Sequence, residues 1–318
     1  MRPEDDYPHP IGAEPNFNES MYLHLHDPGS GLGGFVRLAN RPNEGRGERT
    51  VCLYLPDGRL GFSYARPEVT TNDAFDAAGL RITVREPLRH LDVAFDGPVS
   101  VLADPAAMDD PKRAFEGSPS APASVRLAVR GLGPAFDHSF DAEGESFAPN
   151  HYEQLIAVEG TVRVGELDLP VRGYGLRDHS WGPRYWQTPW FYRWLHGCGD
   201  GVGFMGAHFG RPDGPTILGG FVWDGGEMHE VTELAIRTER DGRDEQSAIT
   251  AELAGPTGRW TVHGEVRSAV PLRHRRDGQV TRIVEGLTRW TLGDGRALYG
   301  MSEYLDQIVA DRPVGLAV

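Results

Sequence analysis

Arg259-Trp260-Thr261-Val262-His263-Gly264-Glu265-Val266 and Arg282-Ile283-Val284-Glu285-Gly286-Leu287-Thr288-Arg289-Trp290-Thr291-Leu292 are rich in Val, Ile, Thr and Trp, residue types that fit a pleated, half-buried surface. Turn formers fence each run: Gly255-Pro256-Thr257-Gly258 before the first, Arg276-Asp277-Gly278 between them, Gly293-Asp294-Gly295 after the second. Asp-Gly supplies the positive φ angles that tight hairpins need. The same texture extends back to Trp190, with turns at Gly197-Cys198-Gly199-Asp200-Gly201, Arg211-Pro212-Asp213-Gly214-Pro215, Trp223-Asp224-Gly225-Gly226 and Asp241-Gly242-Arg243. Strand-turn-strand spacing of this regularity predicts an antiparallel meander that curls into a barrel or sandwich.

The N-terminal half repeats the pattern less cleanly. Strands are expected at Ser20–His26, Gly34–Ala39, Arg49–Leu55, Arg59–Ala65, Leu80–Arg85, His90–Phe95, Val99–Leu102 and Val125–Val129. Pro111–Ala123, rich in Pro, Ala and Ser, reads as a loop or short helix. Phe136–Asn150 turns polar and loop-like, which places a boundary there. The second half then opens with Tyr152–Val164, hairpinned through Gly165-Glu166 into Leu167–Gly173. The expected organisation is a mobile lead-in (1–15), an N-terminal β domain (16–149) and a C-terminal β-barrel domain (150–318). No amphipathic helical periodicity longer than about two turns appears, so the chain reads as all-β.

Composition narrows the partners. In 318 residues, 46 acidic against 32 basic side chains give a net charge of −14, which repels phosphate backbones and anionic lipid. Nucleic acid is not expected as a partner, nor is membrane insertion, since no apolar run approaches the ~20 residues a spanning helix needs. Cys52 and Cys198 sit far apart in unrelated contexts and read as free thiols of a reducing compartment. The polar, Pro-rich start lacks the layout of a signal peptide. A cytoplasmic location is expected, with the oligomeric state unassigned.

Chemistry concentrates in Gly173-Tyr174-Gly175-Leu176-Arg177-Asp178-His179-Ser180-Trp181-Gly182-Pro183-Arg184-Tyr185-Trp186. On a strand, Arg177 and His179 point one way and Asp178 and Ser180 the other; in a bulge all four converge. Asp178 beside Trp and away from water would have a raised pKa and act as an acid, whereas a neighbouring Arg would keep it ionised. His179, an imidazole, is the natural proton carrier. The competing structural reading makes Arg177–Asp178 a buried ion pair at a strand corner. Asn150-His151-Tyr152-Glu153-Gln154 puts Tyr152 and Gln154 on one strand face and His151 with Glu153 on the other, which makes Glu153 a further acid/base candidate.

Alternation places Trp190, Tyr192, Trp194 and His196 on one face of a strand, and Phe204, Gly206 and His208 on one face of the next. A hairpin would bring His196 and His208 together among aromatic walls. His179, His196 and His208 could then offer three imidazoles to zinc or iron, but no H-x-H with a partnering carboxylate occurs among them; His24-Leu25-His26 has that spacing in the other half. No metal and no cofactor are assigned. Trp181, Arg184, Trp186, Trp190, Tyr192, Trp194, His196, His208 and Tyr304 are the expected substrate contacts. The chain lacks a phosphate-binding G-x-x-x-x-G-K-[ST] loop and a G-x-S-x-G elbow, and Gly29-Ser30-Gly31-Leu32-Gly33-Gly34 reads as a hairpin loop. These absences argue against a P-loop ATPase, a Rossmann dehydrogenase and an α/β-hydrolase.

The run G-x-G-x-R-D-H-S-W-G-x-R at Gly173–Arg184 resembles the signature of a bacterial family, as do Asn18-Glu19-Ser20, Asp27-Pro28, Gly33-Gly34, Arg41-Pro42-Asn43 and Tyr152-Glu153-Gln154. That family is distantly similar to the carotenoid 1,2-hydratase, AttH and kievitone hydratase group. The resemblance implies two packed lipocalin-like β-barrels and a pocket for a terpenoid, steroid or other lipid-like molecule. It also implies cofactor-free hydratase chemistry, on a fold that hosts cyclases elsewhere. Two functions are therefore expected to compete. One is a hydratase, isomerase or cyclase with Asp178, His179, Arg177 and Glu153 as acid/base machinery. The other is a non-catalytic carrier of a hydrophobic ligand, in which the Arg-Asp-His group is structural.

Overall fold

A computed structural model describes residues 1–137, 149–184, 186–211 and 216–317. The all-β expectation holds: among the described residues the chain forms two large antiparallel sheets and one short α-helix, Pro111–Glu116. The first sheet contains β1 (Phe17–His26), β2 (Gly33–Arg41), β3 (Arg46–Tyr54), β4 (Leu60–Ala65), β5 (Phe75–Ala77), β6 (Leu80–Glu86), β7 (His90–Leu102), β8 (Ser120–Gly131), β9 (Phe136–Asp137), β10 (Asn150–Val164) and β11 (Leu167–Pro183). The second contains β12 (Phe191–Gly199), β13 (Val202–Gly210), β14 (Ile217–Asp224), β15 (Glu227–Val231), β16 (Glu233–Arg240), β17 (Gln246–Gly255), β18 (Gly258–Arg276), β19 (Gln279–Leu292) and β20 (Ala297–Val309). A two-residue β21 (Arg312–Pro313) pairs with β20.

The first sheet runs β4-β3-β2-β1-β11-β10-β8-β7-β6-β5, and β4 also pairs with β7. That last pairing closes a barrel from β1 to β4, β7, β8, β10 and β11. Its interior is apolar: Met21, Leu23 and Leu25 of β1, Val36 and Leu38 of β2, Val51 and Leu53 of β3, and Ile156 and Val158 of β10 belong to one core. The second sheet runs β15-β14-β13-β12-β20-β19-β18-β17-β16 and has its own core around Phe204, Trp290 and Leu253.

The turn chemistry behaves as its residues dictate. Asp277 and Gly278 both take positive φ (51° and 80°) between β18 and β19, as do Gly225 and Gly226 (60° and 90°) between β14 and β15. Pro111–Ala123 resolves into the short helix followed by the start of β8. His90–Phe95 and Val99–Leu102 are one strand, β7. Most of the expected 136–150 loop, and residues 212–215 of the Arg211–Pro215 turn, lie outside the described residues.

The chain divides into two compact units, Met1–Asp104 with Lys112–Arg184, and Pro105–Pro111 with Tyr185–Val318. The sequence reading put the boundary at residues 149/150 and assigned Asn150–Pro183 to the second half. Register explains the difference. β11 pairs with β1 from Phe17↔Pro183 to His26↔Tyr174, and with β10 from Asn150↔Trp181 to Val164↔Leu167. The signature strand therefore completes the first barrel. Its G-x-G start has a steric cause: a Cβ on Gly175 would lie 1.8 Å from the His24 carbonyl oxygen, and one on Gly173 2.3 Å from that of His26.

Candidate active site on the signature strand

β11 stays extended through Arg177-Asp178-His179-Ser180-Trp181, so the side chains alternate. Cross-strand partners identify the faces. Arg177 lies opposite Leu23, and His179 opposite Met21, both barrel-core residues; Asp178 lies opposite Tyr22, and Ser180 opposite Ser20. Adjacent residues of one motif thus serve two different clusters, and the convergence that a bulge would allow does not occur.

The core-side cluster closes around the N-terminal segment. Expected as a mobile lead-in, it instead makes a 3-10 turn at Pro3–Asp6 and places Asp6, 0% exposed, against Arg177. Arg177 Nη1 donates to Asp6 Oδ1 at 2.6 Å and Nε to Gln154 Oε1 at 2.9 Å. The Tyr152 hydroxyl donates to Asp6 Oδ1 at 2.5 Å, and the Leu88 N–H to Oδ2 at 2.5 Å. Burial pushes the Asp6 pKa up, but Arg177 and these donors outweigh it and hold the carboxyl below its ordinary range. The Arg177–Asp178 ion pair of the structural reading is replaced by Arg177–Asp6.

His179, fully buried, meets Glu19 Oε1 through Nε2 at 2.8 Å, and His9 Nδ1 meets the same oxygen at 2.8 Å. Glu19 Oε2 accepts from the His9 N–H at 2.8 Å and from Asn72 Nδ2 at 2.6 Å. Burial opposes ionisation of Glu19, yet the two histidines hold its pKa at about 2. Trp181, expected against substrate, stacks on His9 with ring centroids 3.8 Å apart.

On the opposite face, His151 Nε2 forms a short hydrogen bond with Asp178 Oδ2 and lies 3.5 Å from Glu153 Oε1. Burial alone would depress the imidazole; the two carboxylates outweigh it and raise the His151 pKa above its ordinary value. The Asp178 pKa is lowered: burial raises it, and His151 and Arg184 more than reverse that. The proton of the pair therefore sits on His151, and Asp178 is not the desolvated neutral acid that burial beside Trp would make. The Asp178 side chain keeps 15% exposure, whereas His179 has none. Arg184 Nη1 donates to Ser180 Oγ at 2.9 Å.

The remaining expected residues lie in the second unit. Pairing across β12 and β13 sets Arg193 opposite His208 and His196 opposite Met205. Because Asp200-Gly201 is a two-residue connection, even-numbered residues of β12 face odd-numbered residues of β13. His196 and His208 therefore point to opposite faces, which corrects the expected convergence, and the set His179, His196 and His208 does not form. His208 shares the core side with Arg193 and Tyr304; Arg193 Nη2 pairs with Asp306 Oδ1 at 3.0 Å and the guanidinium lies 4.5 Å from the Tyr304 ring centroid. The Tyr304 and Thr238 hydroxyls are hydrogen-bonded at 2.6 Å. Tyr192, Trp194 and His196 take the other side, where Tyr192 donates to Glu303. Burial drives the His196 pKa down to about 3, so it stays neutral. The Trp186 ring stacks on His274 at 5.0 Å, and the Trp190 carbonyl accepts from the Gln307 N–H at 2.9 Å.

Asp6, His9 and Glu303 escaped the sequence reading, and Glu19 entered it only as part of a family motif. Glu19 and His179 are 160 residues apart and meet only through the β1–β11 register. For His151 the signal was present, since alternation already placed it beside Glu153.

Residues 2–308 match the family described as "Domain of unknown function (DUF7064)", and the chain belongs to that family. No curated protein matches it. Among solved structures it is similar to a protein named after AttH from Nitrosomonas europaea (17% identity, TM-score 0.65, covering 96% of this chain and 98% of the other). Kievitone hydratase from Nectria haematococca has 10% identity, TM-score 0.59 and coverage of 98% and 93%. CghA with Sch210972 has 16% identity, TM-score 0.56 and coverage of 94% of both chains. At these identities the likeness is one of fold.

Proposed function

We propose that this member of the DUF7064 family is a cytoplasmic acid–base enzyme: a hydratase, isomerase or cyclase that uses its own side chains on an apolar, unsaturated small molecule. One observation carries the reading: His151 is held between two carboxylates, one of which, Asp178, retains an accessible edge. A proton stored on His151 passes across the short bond to Asp178, and from Asp178 to a substrate double bond. The resulting cation gains water, which returns a proton to the pair (hydration), or loses a neighbouring proton (isomerisation). Tyr22 lies opposite Asp178 and stacks on Phe35, centroids 5.3 Å apart, giving the cation an aromatic neighbour. The hydratase among the structures of similar fold agrees with this chemistry.

Arg177 and His179 spend their hydrogen bonds on Asp6, Gln154, Glu19 and Tyr152, which is what the carrier reading expected of the whole run. Asp178, although bonded to His151, departs from it by its exposed edge. The test begins with native mass spectrometry and organic extraction of the purified protein. The compound recovered is then incubated with fresh enzyme in ¹⁸O-water. Label or a double-bond shift is expected in the product, and Asp178→Asn should reduce turnover by about 10²–10⁴-fold while the protein stays folded. An Asp178→Asn protein with wild-type turnover would remove the assignment; a ligand returned unchanged would make the protein a carrier.

A further inference from the structure

We propose that His9, Glu19 and His179 bind one divalent transition-metal ion. The ligand atoms of these three side chains all lie within 4.8 Å of one another, and both imidazoles meet one carboxylate oxygen at 2.8 Å. That separation approaches the edge length between neighbouring ligands of an ion held at ~2.1 Å, and two imidazoles with one carboxylate suit zinc or iron. Glu19 and His179 are fully buried on rigid strands; His9 arrives from the N-terminal segment.

For His179 the surroundings supply what a ligated histidine needs on its far side. The proton of the Tyr152 hydroxyl is committed to Asp6 at 2.5 Å, so at the 3.4 Å contact between His179 Nδ1 and the Tyr152 oxygen it is the ring that donates. That leaves Nε2 as the ligating atom. His9 Nε2 is buried without a hydrogen-bond partner, 3.8 Å from the Asp5 carboxylate. Glu19 turns its other oxygen to Asn72 and the His9 N–H, keeping Oε1 for the ion. Trp181 stacked on His9 and Phe75 edge-on to His179 at 5.4 Å wall the position with apolar surface. Because Asp178 and His179 face opposite ways, the ion is separate from the proposed acid pair. Its role is to tie the N-terminal segment to the barrel.

The test uses the full chain, stripped with chelator and titrated with zinc chloride in a calorimeter, then loaded with cobalt(II) for visible spectroscopy. One equivalent of zinc, an imidazole-ligated cobalt band and a metal-dependent rise in Tm are expected. His9→Ala and Glu19→Gln should each weaken zinc binding by more than the ~10–100-fold that loss of a supporting partner costs. The proposal is overturned by no stoichiometric binding, by wild-type affinity in His9→Ala, or by binding lost only in His151→Ala. The last outcome would move the ion to His151, Glu153 and Asp178, whose ligand atoms are also within 4.8 Å of one another. Even where a variant fails to fold, cobalt spectra of the unaltered chain that lack an imidazole-ligated band would overturn the proposal.

Discussion

Replacing Asp6 by Ala should destabilise the first unit out of proportion to its place near the start of the chain. Arg177 is 1% exposed and would be left charged in the barrel without its carboxylate. Removing one partner of a buried ion pair costs about 3–5 kcal/mol, because the remaining charge has no compensation. The Tyr152 hydroxyl and Leu88 N–H lose the same acceptor, but these losses share one site and do not add. Against a domain stability of roughly 5–15 kcal/mol this is a large fraction, on the order of a 10 °C fall in Tm for a unit of this size. Asp5→Ala is the control: its carboxylate pairs with a mostly exposed Arg2, so the loss should stay below about 1 kcal/mol. Urea unfolding, with hydrogen exchange read on peptides of β1, β10 and β11, isolates this unit from the other. The Asp6 pKa is depressed, so its contribution is complete above the ordinary pKa of 3.8 and disappears as pH falls through the lower folded value. Wild type and variant should therefore converge in acid. Equal losses in the two variants, or less than about 1 kcal/mol in Asp6→Ala, would refute the reasoning.

Other outcomes follow from the same geometry. The His151 pKa is raised, so its contribution to stability is full below the ordinary 6.5 and is lost as pH rises through the folded value; His151→Ala should flatten the alkaline side of a Tm–pH curve, and an unchanged slope would count against the charged pair. Gly175→Ala drives a Cβ to 1.8 Å from the His24 carbonyl and should cost at least about 1–3 kcal/mol or leave the chain insoluble; a soluble variant with the wild-type melting curve would contradict the tight β1–β11 approach. Glycine substitution at Asp277, which sits at φ 51° in a hairpin turn, should be neutral or slightly stabilising in urea melts, since that conformation suits Gly better than Asp.

The fold was legible because its signals are local. Asp277-Gly278 and Gly225-Gly226 announce hairpins by their own backbone preferences, and of the two arrangements open to Arg177–Trp181, alternation on a strand and convergence in a bulge, the structure adopts the first. The site was legible only in half-measure, because its closing contacts are distant in sequence. Nothing near Arg177 points to Asp6, and nothing near His179 points to Glu19; each pair exists only once β11 settles beside β1. The His196–His208 expectation failed at one step, the parity set by Asp200-Gly201. The boundary was misplaced because a polar stretch before Asn150 looks like a linker, whereas the hydrogen bonds that decide membership run from β11 back to β1.

That pairing of β1 with β11 sets an order of events during synthesis. β1 has β2 on one side as soon as the hairpin forms, but its other edge waits until Tyr174–Pro183 leave the ribosome. At ~5–20 residues per second, the interval between the two strands lasts on the order of ten seconds or more. Throughout it β1 presents an unpaired edge with Met21, Leu23 and Leu25 beside it, a template for pairing with other chains. The signature strand is thus also the last stave of the barrel, and a pause in translation before it would lengthen the time the nascent chain spends open to aggregation.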